Sequence, residues 1–292
     1  MATRIGYRSK VHGERTTVEM NIRQLKIFGE RNTGTNAVAL LIEQNIGKII
    51  CPSMRDFVKD FPAREALTKE FEEPYRRFLH HALVDDIFSQ APTEYRQKHT
   101  APEYSQNFVK YGIGVIFLIK NPYSWVLSMY NRPYGLLLPK PDNFTRFLRN
   151  PWLGLRRDNV PSVLSCLLEL WNRKLAAYCC FAEFAKRDGL PLLFLKFEEF
   201  VADQLEALSK IRSVFGFSGD SAVVITASTK DPRLDWNYYR EYYCGEAWRA
   251  AFSAEDLEFC ATAINWDLAA RFGYEKIATH SAWLGPRDRR AT

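Results

Sequence analysis

Six cysteines in 292 residues, none of them in a C-x-x-C pair, are too few and too scattered for a disulfide scaffold or a thiolate zinc site. Cys51, Cys166, Cys179, Cys180, Cys244 and Cys260 read instead as reduced thiols. No stretch approaches the ~20 apolar residues needed to cross a bilayer, and the amino-terminal MATRIGYRSKVHGERTTVEMN has charge but no apolar signal core. A soluble, cytoplasmic protein is expected. Glycine (15) and proline (14) are too sparse for a collagen-like or low-complexity chain, and no internal repeat is visible. No dense Lys/Arg run occurs either. Forty basic against 34 acidic residues leave +6, an excess that suits a small anionic ligand and not the wrapping of nucleic acid. What is present is 47% hydrophobic and 14% aromatic residues, enough for the core of an enzyme-sized globular protein.

Residues 1–20 are polar and aperiodic and predict a loose arm, and residues 281–292 predict a tail. Between them, 21–280 reads as one α/β domain. Arg23 to Phe28 predicts a short strand that breaks at Gly29 and passes through a polar loop into an apolar-periodic helix. The unbroken apolar run Gly114 to Ile119 predicts a strand buried on both faces, as parallel sheets require. Asn121-Pro122 then opens a helix with Pro in its first turn. Three- and four-residue spacing of Leu164, Leu167, Leu168, Trp171, Leu175, Tyr178 and Phe181 marks a long helix over 161–186. Leu192 to Phe197 is a third strand, followed by helix to about Phe215. Ser253 with Asp256 predicts a capping box for a helix ending at Gly273. Strands alternating with helices predict a central, mainly parallel sheet flanked by helices, with ligands beyond the carboxyl ends of the strands. The stretch 132–160 reads as a surface excursion.

Two segments carry candidate chemistry. Gly29-Glu30-Arg31-Asn32-Thr33-Gly34-Thr35-Asn36 lies where a strand hands over to a helix, and the backbone N–H groups of such a turn make an anion cradle. The spacing mimics an ATPase phosphate loop, but Thr35-Asn36 stands where Lys-Ser/Thr would serve the nucleotide phosphates and magnesium. An NTPase is therefore disfavoured, while an ordinary strand–helix turn stays open. In the second segment Lys120 sits at the carboxyl end of the apolar strand and Ser128 two turns along the next helix. A cation and a hydroxyl so placed can grip another phosphate, or Lys120 can simply be solvated.

Together these segments resemble the sulfotransferases that use 3′-phosphoadenosine 5′-phosphosulfate (PAPS). The resemblance runs over roughly 23–275 and implies a P-loop-like sulfotransferase fold. It implies that Arg31, Asn32, Thr33, Gly34, Thr35 and Asn36 bind the 5′-phosphosulfate, and that Lys120 and Ser128 hold the 3′-phosphate. Lys120 keeps the charge of the family's Arg but not its bidentate fork. Trp171, the Phe194 to Phe200 strand end and Phe272-Gly273-Tyr274 extend the similarity. PAPS would be the co-substrate and PAP the product.

Transfer to a hydroxyl requires a base for the departing proton and a cation near the leaving phosphate. The family's Lys-x-His element resembles Lys98-His99, with His99 lying 21 residues before Lys120. The resemblance implies His99 as base and Lys98 as leaving-group contact. His80-His81 is the competing pair, and a Glu is the base in some carbohydrate sulfotransferases of this fold. Trp171, Phe197, Trp236, Tyr238 or Tyr239 could receive adenine. Lys230-Asp231-Pro232-Arg233 or Arg240 could stand in for the family's carboxy-terminal phosphate loop. The expected acceptor is a hydroxyl of a glycan or glycolipid, contacted from 53–95 and 132–160. A nucleotide-dependent kinase and an inactive nucleotide-binding scaffold are the alternatives.

Overall fold

The computed structural model describes residues 5–11, 14–134, 137–227 and 234–278. Lys230 to Arg233, His12, His280 and the 281–292 tail lie outside them. In chain order the elements are β1 (Ile5–Val11), β2 (Glu14–Met20), β3 (Gln24–Gly29), α1 (Thr35–Asn45), α2 (Met54–Phe57), α3 (Phe61–Thr68), α4 (Tyr75–Ser89) and α5 (Asn107–Tyr111). They continue with β4 (Ile113–Ile119), α6 (Pro122–Asn131), α7 (Phe144–Arg149), β5 (Trp152–Leu153), β6 (Val163–Leu164) and α8 (Leu167–Arg187). Then follow β7 (Leu192–Lys196), α9 (Phe197–Ala202), α10 (Gln204–Phe215), α11 (Trp236–Cys244), α12 (Ala254–Ala263) and α13 (Trp266–Ala270).

The three apolar runs of the sequence form one parallel sheet in the order β3-β4-β7. Central β4 is buried at every position, because both of its faces are covered. On one face Phe117 stacks on Tyr178 of α8 with centroids 4.4 Å apart and meets Phe181 edge-on. On the other, Phe215 of α10 closes on Gly114, and α1 leaves the sheet beside Leu118. Ile50 adds an isolated parallel bridge to Leu25, beside the free edge of β3. Among the described residues no helix is long and apolar enough to cross a membrane.

Several boundaries differ from expectation for identifiable reasons. Residues 5–11 and 14–20, expected as part of a loose arm, pair as the antiparallel strands β1 and β2, with Ile5 opposite Met20. The β-branched run Thr16-Thr17-Val18 favours extended backbone. The long helix begins at Leu167 and not at 161, because Val163-Leu164 pairs with Trp152-Leu153. Helix after β7 breaks at Asp203, whose carboxylate caps α10 by accepting from the Leu205 and Glu206 N–H groups. Asn265 likewise caps α13 after α12 has stopped, while the Ser253/Asp256 capping box forms as expected.

The 132–160 segment is more than a surface excursion. Phe147, Leu148, Trp152, Arg157 and Asp158 are all buried, and the last two reach the site.

Candidate active site

β3 ends at Gly29 and the chain turns through residues 30–34 into α1. Asn32 has φ 64° and Gly34 φ 86°. A side chain at Gly34 would be strained in that conformation and would also run into the Phe197 ring, 2.7 Å from an added Cβ. The loop is therefore shaped to let the backbone pass close to Phe197. Gly34, the residue before α1, contributes no side-chain cap. The N–H groups of Gly34, Thr35 and Asn36 have no acceptor among the described residues. These are the orphan donors of a helix start, with the positive end of the helix behind them.

The side chains of the loop hold it in place. Arg31 makes a bidentate pair with Asp158, 3.1 and 3.0 Å, and also touches Glu30 at 3.3 Å. Lys174 lies 3.4 Å from Glu30 and reaches the His99 carbonyl oxygen. All four charges are buried. Burial alone would raise the Asp158 carboxyl, but Arg31 and Lys174 outweigh it and hold the pKa at about 2. Burial opposes the Arg31 charge too, yet Asp158 and Glu30 raise its pKa above the usual value. Thus the Arg31 guanidinium, expected on phosphosulfate, is committed to this network and frames the loop. Thr33 donates to Glu30 O at 2.6 Å, and Asn32 Nδ2 donates to Arg132 O at 3.0 Å, so both side chains are also framing elements.

Two cavities meet at the loop, and Asn32 and Gly34 border both. The first, about 200 Å³, is lined by Phe197 and by Trp236, Tyr238, Tyr239, Tyr242 and Tyr243 of α11. Phe197, Trp236, Tyr238 and Tyr239 were among the expected adenine neighbours, whereas Trp171 is buried elsewhere, donating to Lys120 O at 3.1 Å. Tyr242 and Tyr243 went unpredicted, although Trp236, Tyr239 and Tyr243 follow helical spacing and could have been found by it. Arg240 does not line this cavity. Ser128 does, and its Oγ receives a hydrogen bond from Lys120 Nζ at 2.8 Å, so the expected pair is together.

Lys120 itself is buried behind Ser128, with its ammonium 4.0 Å from the Tyr243 ring centroid and 4.7 Å from that of Phe197. Burial pushes its pKa down to about 7, only partly opposed by Glu198. Glu198 accepts from the Asn121 N–H and the Tyr274 hydroxyl, which ties the two strand-end motifs to the carboxy-terminal Phe-Gly-Tyr.

The second cavity, about 290 Å³, is lined by Thr35, Asn36, His80, His81, Gln97, Lys98, His99 and Arg157 besides the loop. No carboxylate is among its described lining residues, so none is placed there as a base. Its histidines differ in tautomer. His99 Nδ1 lies 2.6 Å from the Gly29 carbonyl oxygen, which can only accept, so Nδ1 carries the proton and Nε2 keeps its lone pair. His81 Nδ1 accepts from the Arg157 guanidinium at 2.8 Å, which leaves the proton on Nε2. Burial, then Arg31 and Lys98, push the His99 pKa well below its ordinary value, and burial with Arg157 pushes His81 to about 4. Both rings are neutral near pH 7. Of these two rings, His99 keeps its Nε2 lone pair, whereas the lone pair of His81 is taken up by Arg157. His80 faces Glu65 at 3.8 Å on the more exposed side. Lys98, its pKa lowered by burial, reaches the Asn36 side chain at the start of α1. A separate groove of about 650 Å³ between residues 101–106 and α8 contains none of these groups.

No known protein-family profile matches the chain, and no curated protein matches it. Among solved structures it is similar to a sulfotransferase domain from the curacin biosynthetic pathway, with 11% identity over 88% of this chain and 99% of that one, TM-score 0.42. It is also similar to a sulfotransferase from Alicyclobacillus acidocaldarius, with 15% identity over 86% and 96%, TM-score 0.42.

Proposed function

We propose that the protein is a sulfotransferase that moves the sulfuryl group of PAPS to a hydroxyl and releases PAP. One observation carries this reading: a single loop with unpartnered N–H donors forms the shared wall between an aromatic cavity and a cavity holding a basic histidine nitrogen. The aromatic cavity suits adenine, whose faces stack on such rings. The N–H groups of Gly34, Thr35 and Asn36, with Lys98 nearby, suit the 5′-phosphate. Ser128, backed by Lys120, suits the 3′-phosphate.

In the transfer PAPS supplies an electrophilic sulfur. His99 Nε2 takes the proton of the acceptor hydroxyl as its oxygen bonds to that sulfur, and the bond from sulfur to the 5′-phosphate oxygen breaks. The negative charge left on the phosphate is met by the loop N–H groups, the α1 dipole and Lys98. Arg31 acts through position alone, by fixing the loop against Asp158. Gln97 Oε1 is buried without a partner at this cavity and can accept a hydrogen bond from a hydroxyl of the acceptor. Six unpaired cysteines fit a reducing, cytoplasmic setting.

A thermal melt tests the proposal. A ligand that binds only the folded state stabilises it by about 2.7 kcal/mol at a hundredfold excess over Kd, which for a chain of this size is a shift of at least roughly 2 °C. PAP should give that shift without magnesium. A larger shift with ATP and magnesium would replace the proposal with a kinase, and no shift with either would leave a scaffold without nucleotide binding.

A further inference from the structure

Lys26 is the only cation in β3, and its side chain is 3% exposed. A buried ammonium has three donors to satisfy and is costly to leave uncompensated. Among the described residues its one hydrogen bond goes to the Arg96 carbonyl, at 2.7 Å, and no carboxylate lies within ion-pair distance. Glu94 and Asp56 attract it only from farther off. Asp56 is occupied by the Ser53 N–H and hydroxyl, and Glu94 gives one oxygen to Asn107 while its other stays buried without a hydrogen bond, out of reach of Lys26. Arg31, by contrast, is buried to a similar degree with two carboxylates in direct contact.

Lys26 borders a cavity of about 630 Å³ that also receives Arg55, Lys98 and Arg157, with Asp56 as the only acid in its lining. Ile50, Val84 and Phe88 give the same cavity apolar wall. Lys98, Arg157 and Gln97 border both this cavity and the one holding His99, so the two are neighbours across shared side chains. One segment fixes both ends. Arg96 O meets Lys26, and His99 meets Gly29 three residues farther along β3, so their anchor points on the strand are offset by about 10 Å.

We propose that this cavity receives an acceptor with an anionic group on an apolar body, the anion seated against Lys26 while its hydroxyl lies at His99. The proposal rests on the sulfotransfer reading for the role of the hydroxyl. About 10 Å corresponds to about eight bonds of an extended chain. The acceptor is thus a hydroxylated carboxylate, or a similarly charged molecule, and the strand offset sets the length of the first probe.

The test uses ω-hydroxyoctanoate and its uncharged counterpart ω-hydroxyoctanamide, titrated calorimetrically into the full chain with PAP and without it. The carboxylate should bind about tenfold more tightly than the amide, the usual scale for one charge-assisted contact. Lys26→Met should remove that preference while leaving PAP affinity unchanged. Equal affinities in the wild type, binding of neither probe, or a preference that survives in Lys26→Met would each overturn the proposal. The wild-type comparison decides even where the variant fails to fold. A carboxylate preference in a protein that neither binds PAP nor transfers sulfate from PAPS would sustain the anion site and overturn the sulfotransfer reading instead.

Discussion

The two flanks of the Gly29 to Asn36 loop solve the burial of charge in opposite ways. On the flank toward α8, Arg31 and Lys174 meet Glu30 and Asp158, so two cations face two anions and the group is closed. On the flank toward α11, Lys120 is just as buried but rests on a hydroxyl, the Asn32 carbonyl and two aromatic rings. Its pKa falls where that of Arg31 rises. A closed network gives rigidity, and its balanced charges exert little net pull on a ligand. An ammonium without a close carboxylate gains from an anion placed near it, which is why the proposal seats a phosphate at Lys120 and Ser128.

The largest effect that would sharpen this contrast concerns His99, the base proposed beside the closed flank. His99→Asn preserves a donor for the Gly29 carbonyl but removes Nε2. It should lower turnover with PAPS by roughly 10²–10⁴-fold while PAP affinity by calorimetry stays near wild type. His81→Asn should leave most of the rate. The reverse ranking would move the base to His81 and break the tautomer assignment.

Next comes the network itself. Asp158→Ala strands the Arg31 and Lys174 charges, and removal of one partner from a buried pair costs about 3–5 kcal/mol. Urea unfolding should show that loss. A change below about 1 kcal/mol would mean that the charges are solvated and that the flank is not closed.

The smallest effect lies on the open flank. Lys120→Met should weaken PAP binding by about 1–3 kcal/mol, the worth of a charged hydrogen-bonding partner. The pH dependence carries a definite sign. Lys120 in the free protein loses its proton near pH 7, and a bound phosphate favours the ammonium and raises that pKa. PAP affinity should therefore fall as pH rises above about 7, and the slope should vanish in Lys120→Met. Affinity that is flat or rising with pH in the wild type would place the 3′-phosphate away from Lys120.

Much of this frame was legible in residue order. The alternation in β3 and the apolar runs of β4 and β7 marked strands, the strand–loop–helix at Gly29 to Thr35 had to expose N–H groups, and Pro122 and Ser253 marked helix starts. Local rules fail where partners are distant in the chain. Asp158 sat in a stretch rich in Pro, Arg and Asn that has the composition of a surface loop, and nothing local says that it lies against Arg31, 127 residues away. The same gap hid the partner of Arg31. A motif names an arginine, but only its three-dimensional neighbours say whether the guanidinium is free.

Periodicity, turn chemistry and the spacing of the two phosphate motifs are properties of neighbouring residues, so the sequence by itself determined the parallel α/β frame, the loop and the nearness of Lys120 to Ser128. Tautomers, closed or open charges and cavity walls depend on atoms from segments far apart in the chain. Only the tertiary structure decided that Gly29 O fixes the proton on His99 Nδ1, that Asp158 pairs with the Arg31 guanidinium, and that Lys26 is buried without a carboxylate in ion-pair distance. The physical reason is range: backbone preferences act over a few residues, whereas desolvation and ion pairing act through space and are settled by whatever the fold brings within a few ångströms.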